Sequence, residues 1–231
     1  MSYTVKLIDK KEVAFGTMAF FLEKPKGFSF NPGQYIILSL INPTETDEKG
    51  NSRAFSIASS NFDESIVIAT RMTGSAYKKN LDAMATGTEL AMEGPFGSLA
   101  LKDEKPAVLL TGGIGITPFR SIILEEKRKG VPHRVHLFYS NTKTENAAFL
   151  SEFMKIESNN YTFVGTMTDD PQWKGETGFI NKEMLEKYLH DLNGKVYYIT
   201  GPPKMVEAMN KMLLDAGINK NDIRIEEFSG Y

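Results

Sequence analysis

Ala107-Val108-Leu109-Leu110-Thr111-Gly112-Gly113-Ile114-Gly115-Ile116-Thr117-Pro118 is the stretch whose reading decides the fold. An apolar run enters a glycine-rich turn, and a helix over 118–129 follows at once, with Phe119, Ile122 and Ile123 on one face. A strand apolar at every position belongs in a parallel sheet buried on both faces. Thr117 suits the N-cap of that helix and Pro118 its first position. Glycines let the main chain approach a ligand closely, and a helix N-terminus attracts phosphate. The turn is not a P-loop, because no Gly-Lys-Ser/Thr follows. It is not GxGxxG either, because Pro118 stands where the third glycine would be. A tight turn without a ligand is the alternative.

Downstream, strand and helix alternate: strand 134–140, helix 145–157, strand 161–168, helix 181–189, strand 195–200, helix 202–216 and strand 223–228. That alternation predicts an α/β domain with a five-stranded parallel sheet. Upstream, short strands are broken by turn signals, over 4–8, 17–22, 34–41, 53–58, 66–72 and 89–93, and only 75–84 has a helical pattern. This half predicts a closed antiparallel β-barrel with one helix. The chain is thus expected to be α+β in two domains, with a boundary in the charged stretch Lys102-Asp103-Glu104-Lys105-Pro106. The domains are 1–102 and 103–231.

Three more motifs lie at strand ends. Thr200-Gly201-Pro202-Pro203-Lys204-Met205 repeats the strand-to-helix turn on the same edge of the sheet, where open parallel sheets bind ligands. A plain helix start with proline at its first position reads equally well. In Arg53-Ala54-Phe55-Ser56, alternation puts Arg53 and Phe55 on one face and Ser56 on the other. A cation beside an aromatic ring can serve a phosphate and a planar ring together. An ordinary strand edge is the alternative. In Thr70-Arg71-Met72-Thr73-Gly74-Ser75-Ala76-Tyr77-Lys78-Lys79, a strand ends at a glycine and a helix begins. Its first amides and Lys79 can hold a second phosphate, or the helix is simply capped.

The composition sets the outer limits. Across 231 residues, 41% are hydrophobic and 24% charged, which is globular, and the net charge of −2 gives no basic field for nucleic acid. There is no cysteine, so the chain has no disulfide, thiolate-held cluster or thiol nucleophile of its own. No apolar stretch approaches the ~20 residues of a membrane span, and the first residues carry no apolar leader core. A cytoplasmic protein, monomeric by default, is expected. His133 and His136 have H-x-x-H spacing but no third ligand, so no metal site is assigned.

The five pieces RAFS at 53–56, GPFG at 94–97, GGIGITP at 112–118, GPPKM at 201–205 and EEFSGY at 226–231 come in a telling order. With them the chain resembles, over essentially its whole length, the ferredoxin–NADP reductase family: an FAD-binding barrel followed by a pyridine-nucleotide domain. The resemblance implies that Arg53 pairs with the FAD pyrophosphate, with Ala54 beside it, and that Phe55 packs on the isoalloxazine and ribityl region. Ser56 would hydrogen-bond near flavin N5. Ile68, Ala69 and Thr70 would offer main chain to the flavin edge, and Gly74, Ser75 and Ala76 amides to the phosphates. Gly113, Gly115, Thr117 and Pro118 would hold NADP(H) or NAD(H), with Gly201, Pro202 and Met205 opposite.

Many relatives have a cysteine where this chain has Thr200, a tyrosine where it has Phe55, and a serine where it has Tyr77. Members often end in an aromatic ring that covers the flavin, which makes Tyr231 the candidate and Phe228 its competitor. Ser56, Thr200, Tyr231 and Phe228 are the candidates for the reaction itself. The strand 134–140 leads into Ser140-Asn141-Thr142-Lys143, where no carboxylate awaits a ribose diol. These groups suit the 2′-phosphate of NADPH.

The implied activity is hydride transfer from NAD(P)H to FAD, then electron transfer to an external acceptor such as a ferredoxin, a flavodoxin or an oxygenase component. A stand-alone flavin or ferric reductase is one alternative. A non-catalytic nucleotide-binding electron-transfer subunit is another.

Overall fold

The computed structural model describes residues 1–101 and 104–228. The chain forms two compact units. The first comprises Met1–Ala100 with Thr117–Glu125, and the second Leu101–Ile116 with Glu126–Tyr231.

The first unit is a six-stranded antiparallel sheet built from β1 (Ser2–Ala14), β2 (Thr17–Glu23), β3 (Tyr35–Leu40), β4 (Ser52–Ser56), β5 (Ser65–Arg71) and β6 (Glu89–Phe96), in the order β4-β3-β6-β1-β2-β5. Period-two alternation along β3 buries Ile36, Leu38 and Leu40, which join Val5, Leu7, Phe20, Leu22, Ile66, Ile68 and Leu90 in one core. The helix α1 (Ala76–Ala83) adds Tyr77 and Leu81 to it, and its Ser75 cap accepts from the Lys78 amide. The expected closure of the barrel is corrected. No ladder joins β4 to β5; the Ala58 amide donates to Val67 O at 2.7 Å, and the Val67 amide turns to Ser59 Oγ at 3.0 Å. Once a side chain takes that amide, the ladder cannot continue.

The second unit is a parallel sheet of β7 (Ala107–Gly112), β8 (Val135–Asn141), β9 (Tyr161–Met167), β10 (Glu176–Thr177), β11 (Val196–Gly201) and β12 (Ile223–Glu227), in the order β10-β9-β8-β7-β11-β12. The predicted α/β architecture is present with a sixth strand. β10 is two residues long, too short to show a period. β7 and β11 are buried at every position, as central strands must be. Around them lie α2 (Ile116–Arg128), α3 (Leu150–Met154), α4 (Lys182–Leu189) and α5 (Pro203–Asp215).

Two helix readings change. The helix expected over 145–157 is broken into a 3₁₀ turn at Thr144–Asn146 and the short α3, with Phe149 at φ 60° between them. Ala147, Ala148, Phe149 and Leu150 are all buried, and Tyr139 Oη takes the Ala148 carbonyl at 3.3 Å, so packing overrides the local helical pattern. Thr117 is not an N-cap. A 3₁₀ turn at Gly113–Gly115 leads into α2, which starts at Ile116, so Pro118 falls in the first turn, where its missing N–H costs nothing. Among the described residues, no helix is long and apolar enough to cross a membrane.

Candidate functional site

In the second unit the chain reverses its direction across the sheet between β7 and β11. β8, β9 and β10 lie to one side, β12 to the other. Ligands of open α/β sheets bind beyond the carboxyl ends of the strands at such a switch point. The two glycine turns leave the sheet there and touch. A Cβ on Gly115 would stand 2.8 Å from Gly201 Cα and 2.9 Å from Thr200 O; one on Gly112 would stand 2.6 Å from Met205 Sδ. Only glycine permits this approach.

Thr200 is fully buried, with Oγ1 2.8 Å from Gly115 O and 3.1 Å from Thr111 Oγ1. Its single hydrogen serves the carbonyl, and the Thr111 hydroxyl supplies the other. Thr200, placed among the reacting groups by the sequence, is thus committed to joining the two loops. Tyr139 Oη adds a bond to Gly113 O at 3.1 Å. Pro202 O accepts from the Met205 and Val206 amides and starts α5. The Phe228 amide donates to Gly201 O at 3.2 Å, which brings Phe228 to the same loop. Tyr231 lies outside the described residues.

At the end of β8, Ser140 is half-buried and Lys143 exposed. Asn141 is buried, and its Nδ2 has no hydrogen-bond partner. A buried amide nitrogen with no acceptor marks a place for a polar ligand atom. A carboxylate does stand at this loop, contrary to the sequence reading: Asp170 Oδ2 accepts from the Thr144 amide at 2.9 Å and from Thr144 Oγ1 at 2.5 Å. The following strand-end loop supplies it, 26 residues on. Spacing alone gave no signal of that.

In the first unit, Arg53 and Phe55 both face Tyr77. The Arg53 guanidinium carbon lies 5.0 Å from the Tyr77 ring centre, and the Phe55 ring 5.8 Å. Ala54 is exposed. Ser56 is buried, and its Oγ has no hydrogen-bond partner. Ile68, Ala69 and Thr70 are buried near the end of β5, while Gly74 is exposed and Ser75 and Ala76 half-buried at the start of α1.

The sequence pointed to Lys79, which is exposed and 4.0 Å from Glu45. The buried lysine is Lys78, its Nζ 3.1 Å from Thr73 Oγ1. Burial, then the positive fields of Arg53, Lys49 and Arg71, hold the Lys78 ammonium below the usual lysine range. Four cations around the first turn of α1 make a site suited to a polyanion. Tyr77 was missed as a support. Its hydroxyl donates to Leu38 O at 2.9 Å, so the ring stands fixed beneath Arg53.

These residues fit the dinucleotides that the motifs imply. The first unit joins a cationic cluster to an unpartnered buried hydroxyl, and the second joins glycine loops to an unpartnered buried amide. The paired histidines are apart in role. His133 Nδ1 lies 2.8 Å from Glu126 Oε2, whereas burial, with the Arg134 and Lys195 charges, lowers buried His136 to about 4.

Residues 109–211 match the family model of the oxidoreductase NAD-binding domain. The F-type component of a Na(+)-translocating NADH-quinone reductase from Marinomonas sp. (strain MWYL1) is 32% identical over 64% of this chain, which spans 39% of that relative's length. The reductase GcoB, a cytochrome P450 reductase from Amycolatopsis, superimposes with a TM-score of 0.85 at 23% identity, over 100% of this chain and 70% of that one. A ferredoxin NADP+ reductase from Neisseria gonorrhoeae, solved with bound FAD and NADP, gives 0.84 at 23% identity over 98% of both chains. The fold is theirs.

Proposed function

We propose that this chain, which carries an oxidoreductase NAD-binding domain on the fold of the ferredoxin–NADP reductases, is an NAD(P)H-dependent flavoprotein reductase. FAD, when bound, supplies hydride acceptance and the ability to release electrons singly. The protein's part is to bind, orient and shield. The observation that carries the reading is the pairing of an unpartnered buried Ser56 hydroxyl with the cations Arg53, Lys49, Arg71 and Lys78 in one unit, while the other builds glycine loops at a switch point.

In this reading Arg53 and the amides of Gly74, Ser75 and Ala76 hold the FAD pyrophosphate. Phe55 and the main chain of Ile68, Ala69 and Thr70 border the flavin, and Ser56 donates to its ring. Gly113, Gly115, Thr117, Pro118, Gly201, Pro202 and Met205 hold the nicotinamide nucleotide, and Ser140, Asn141 and Lys143 its adenosine end. Phe228 and Tyr231 are the proposed aromatic covers.

The electrons go to an external protein acceptor: a ferredoxin, a flavodoxin, an oxygenase component or a neighbouring protein of a larger complex. The relatives named as components of an NADH-quinone reductase favour a partner over a stand-alone flavin or ferric reductase. The proposed setting is the cytoplasm, free or held at a membrane complex by that partner.

The test is spectroscopic. Purified protein loaded with FAD turns yellow, bleaches when NADH or NADPH is added without oxygen, and recovers when an acceptor is added. A colourless protein that refuses FAD overturns the reading and leaves a nucleotide-binding module.

A further inference from the structure

The loop between β3 and β4 does more than connect them. Arg53 Nη2 donates to Asp47 Oδ1 at 2.7 Å, and Arg53 Nη1 faces the carbonyls of Lys49, Gly50 and Ser52 at 2.8, 2.9 and 2.8 Å. Asp47 Oδ1 also accepts from the Lys49 amide at 3.0 Å, which holds the carboxylate in its turn. A guanidinium has five N–H donors. Here Nη1 is spent on carbonyls and Nη2 gives one hydrogen to Asp47, which leaves Nε and the second Nη2 hydrogen.

The loop is tied in turn to α1. Asn80 is buried, and its Oδ1 accepts from the Thr44 amide and Thr44 Oγ1, both at 2.8 Å. Its Nδ2 donates to Glu45 O at 3.0 Å and to Ala76 O at 2.8 Å. Both polar atoms of this side chain are used. The chain of bonds runs from the first turn of α1 through Asn80 to residues 44–47, and from Asp47 to Arg53.

We propose that Asp47 and Asn80 are positioning residues for the dinucleotide phosphates, setting Arg53 at a fixed distance from the amides at the start of α1 so that both engage one pyrophosphate. An unrestrained arginine loses rotamer freedom on binding, and a guanidinium held beforehand does not. Asp47 therefore strengthens the binding of an anion although it is itself negative. This inference rests on the FAD reading.

The test strips flavin from the full chain and titrates it with FAD and with riboflavin, which lacks phosphate. Asp47→Ala weakens FAD binding about tenfold, the scale of one hydrogen bond to a charged group, and leaves riboflavin affinity and the thermal midpoint unchanged. Asp47→Asn keeps an acceptor oxygen for Nη2 and stays within about threefold of the parent on the same scale. Asn80→Ala repeats the Asp47→Ala loss; if it fails to fold, the Asp47 pair decides. Tighter or unchanged FAD binding by Asp47→Ala overturns the proposal. So does an equal loss for FAD and riboflavin, which would make the loop merely structural. A parent protein that takes up no FAD fails the functional reading itself.

Discussion

Thr200 Oγ1 lies 2.8 Å from the carbonyl oxygen of Gly115, inside a contact closed to water. One hydroxyl thereby joins the turn after β7 to the turn after β11, and Thr111 completes the clasp at 3.1 Å. Thr200→Val removes the bond and leaves the Gly115 carbonyl buried without its partner, which costs about 1–3 kcal/mol. Thr200→Ser keeps the hydroxyl and stays close to the parent. Urea unfolding of the two variants checks this, and equal stability would remove the clasp.

Gly115 and Gly112 differ in what stands in front of them. A Cβ on Gly115 meets main chain at 2.8 Å, whereas one on Gly112 meets the end of the flexible Met205 side chain at 2.6 Å. Gly115→Ala is expected to cost about 1–3 kcal/mol as overpacking against a backbone that cannot yield, and Gly112→Ala less. NAD(P)H affinity falls with Gly115→Ala in the same order. A reversed ranking in thermal unfolding would contradict this.

Arg53→Ala is expected to lose FAD on gel filtration while the apoprotein stays folded, because Tyr77 and Phe55 keep their places in the core. Full flavin retention by this variant, or extraction of FMN instead of FAD from the parent, would count against the pyrophosphate assignment.

The preference for NADPH read from residues 140–143 loses its premise at Asp170. Its carboxylate, held below the usual range by hydrogen bonds from Thr144, is charged at neutral pH beside the loop that carries Lys143. A fixed negative charge there repels a 2′-phosphate. NADH is therefore expected to show the higher kcat/KM, and Asp170→Asn to narrow the ratio. A parent that favours NADPH, with no change in Asp170→Asn, would restore the original reading.

Glu226 sits opposite Thr200 in the β11–β12 register, and burial raises its carboxyl to about 7. Its folded value lies above its unfolded one, so the folded state binds more protons between about 4.5 and 7, and stability falls as pH rises through that window. Glu226→Gln flattens this slope. Thermal midpoints at pH 5 and pH 8 that differ equally in parent and variant would assign the slope elsewhere.

The alternation along β3 and the unbroken apolar run of β7 were legible in the sequence, because burial dictates residue type at each step of a strand. Local chemistry also marked the glycine turns at 112–115 and 201, since main chain can approach main chain there only without a side chain. The Arg53 to Ser56 strand showed its two faces for the same reason. Sequence alone therefore determined the two architectures, the switch-point loops and the residues from which a dinucleotide reader would be built.

What the tertiary structure decided were contacts between residues far apart in the chain. No period links Asp47 to Arg53 with Asn80 behind it, Asp170 to Thr144, or Thr200 to Gly115 across 85 residues. The break at Phe149 and the two-residue β10 belong to the same class, because packing outweighed local preference at one and length hid the pattern at the other. Local pattern records what each residue must be to sit in a strand or turn. Which carboxylate faces which cation is set only when the sheet brings their loops to one edge.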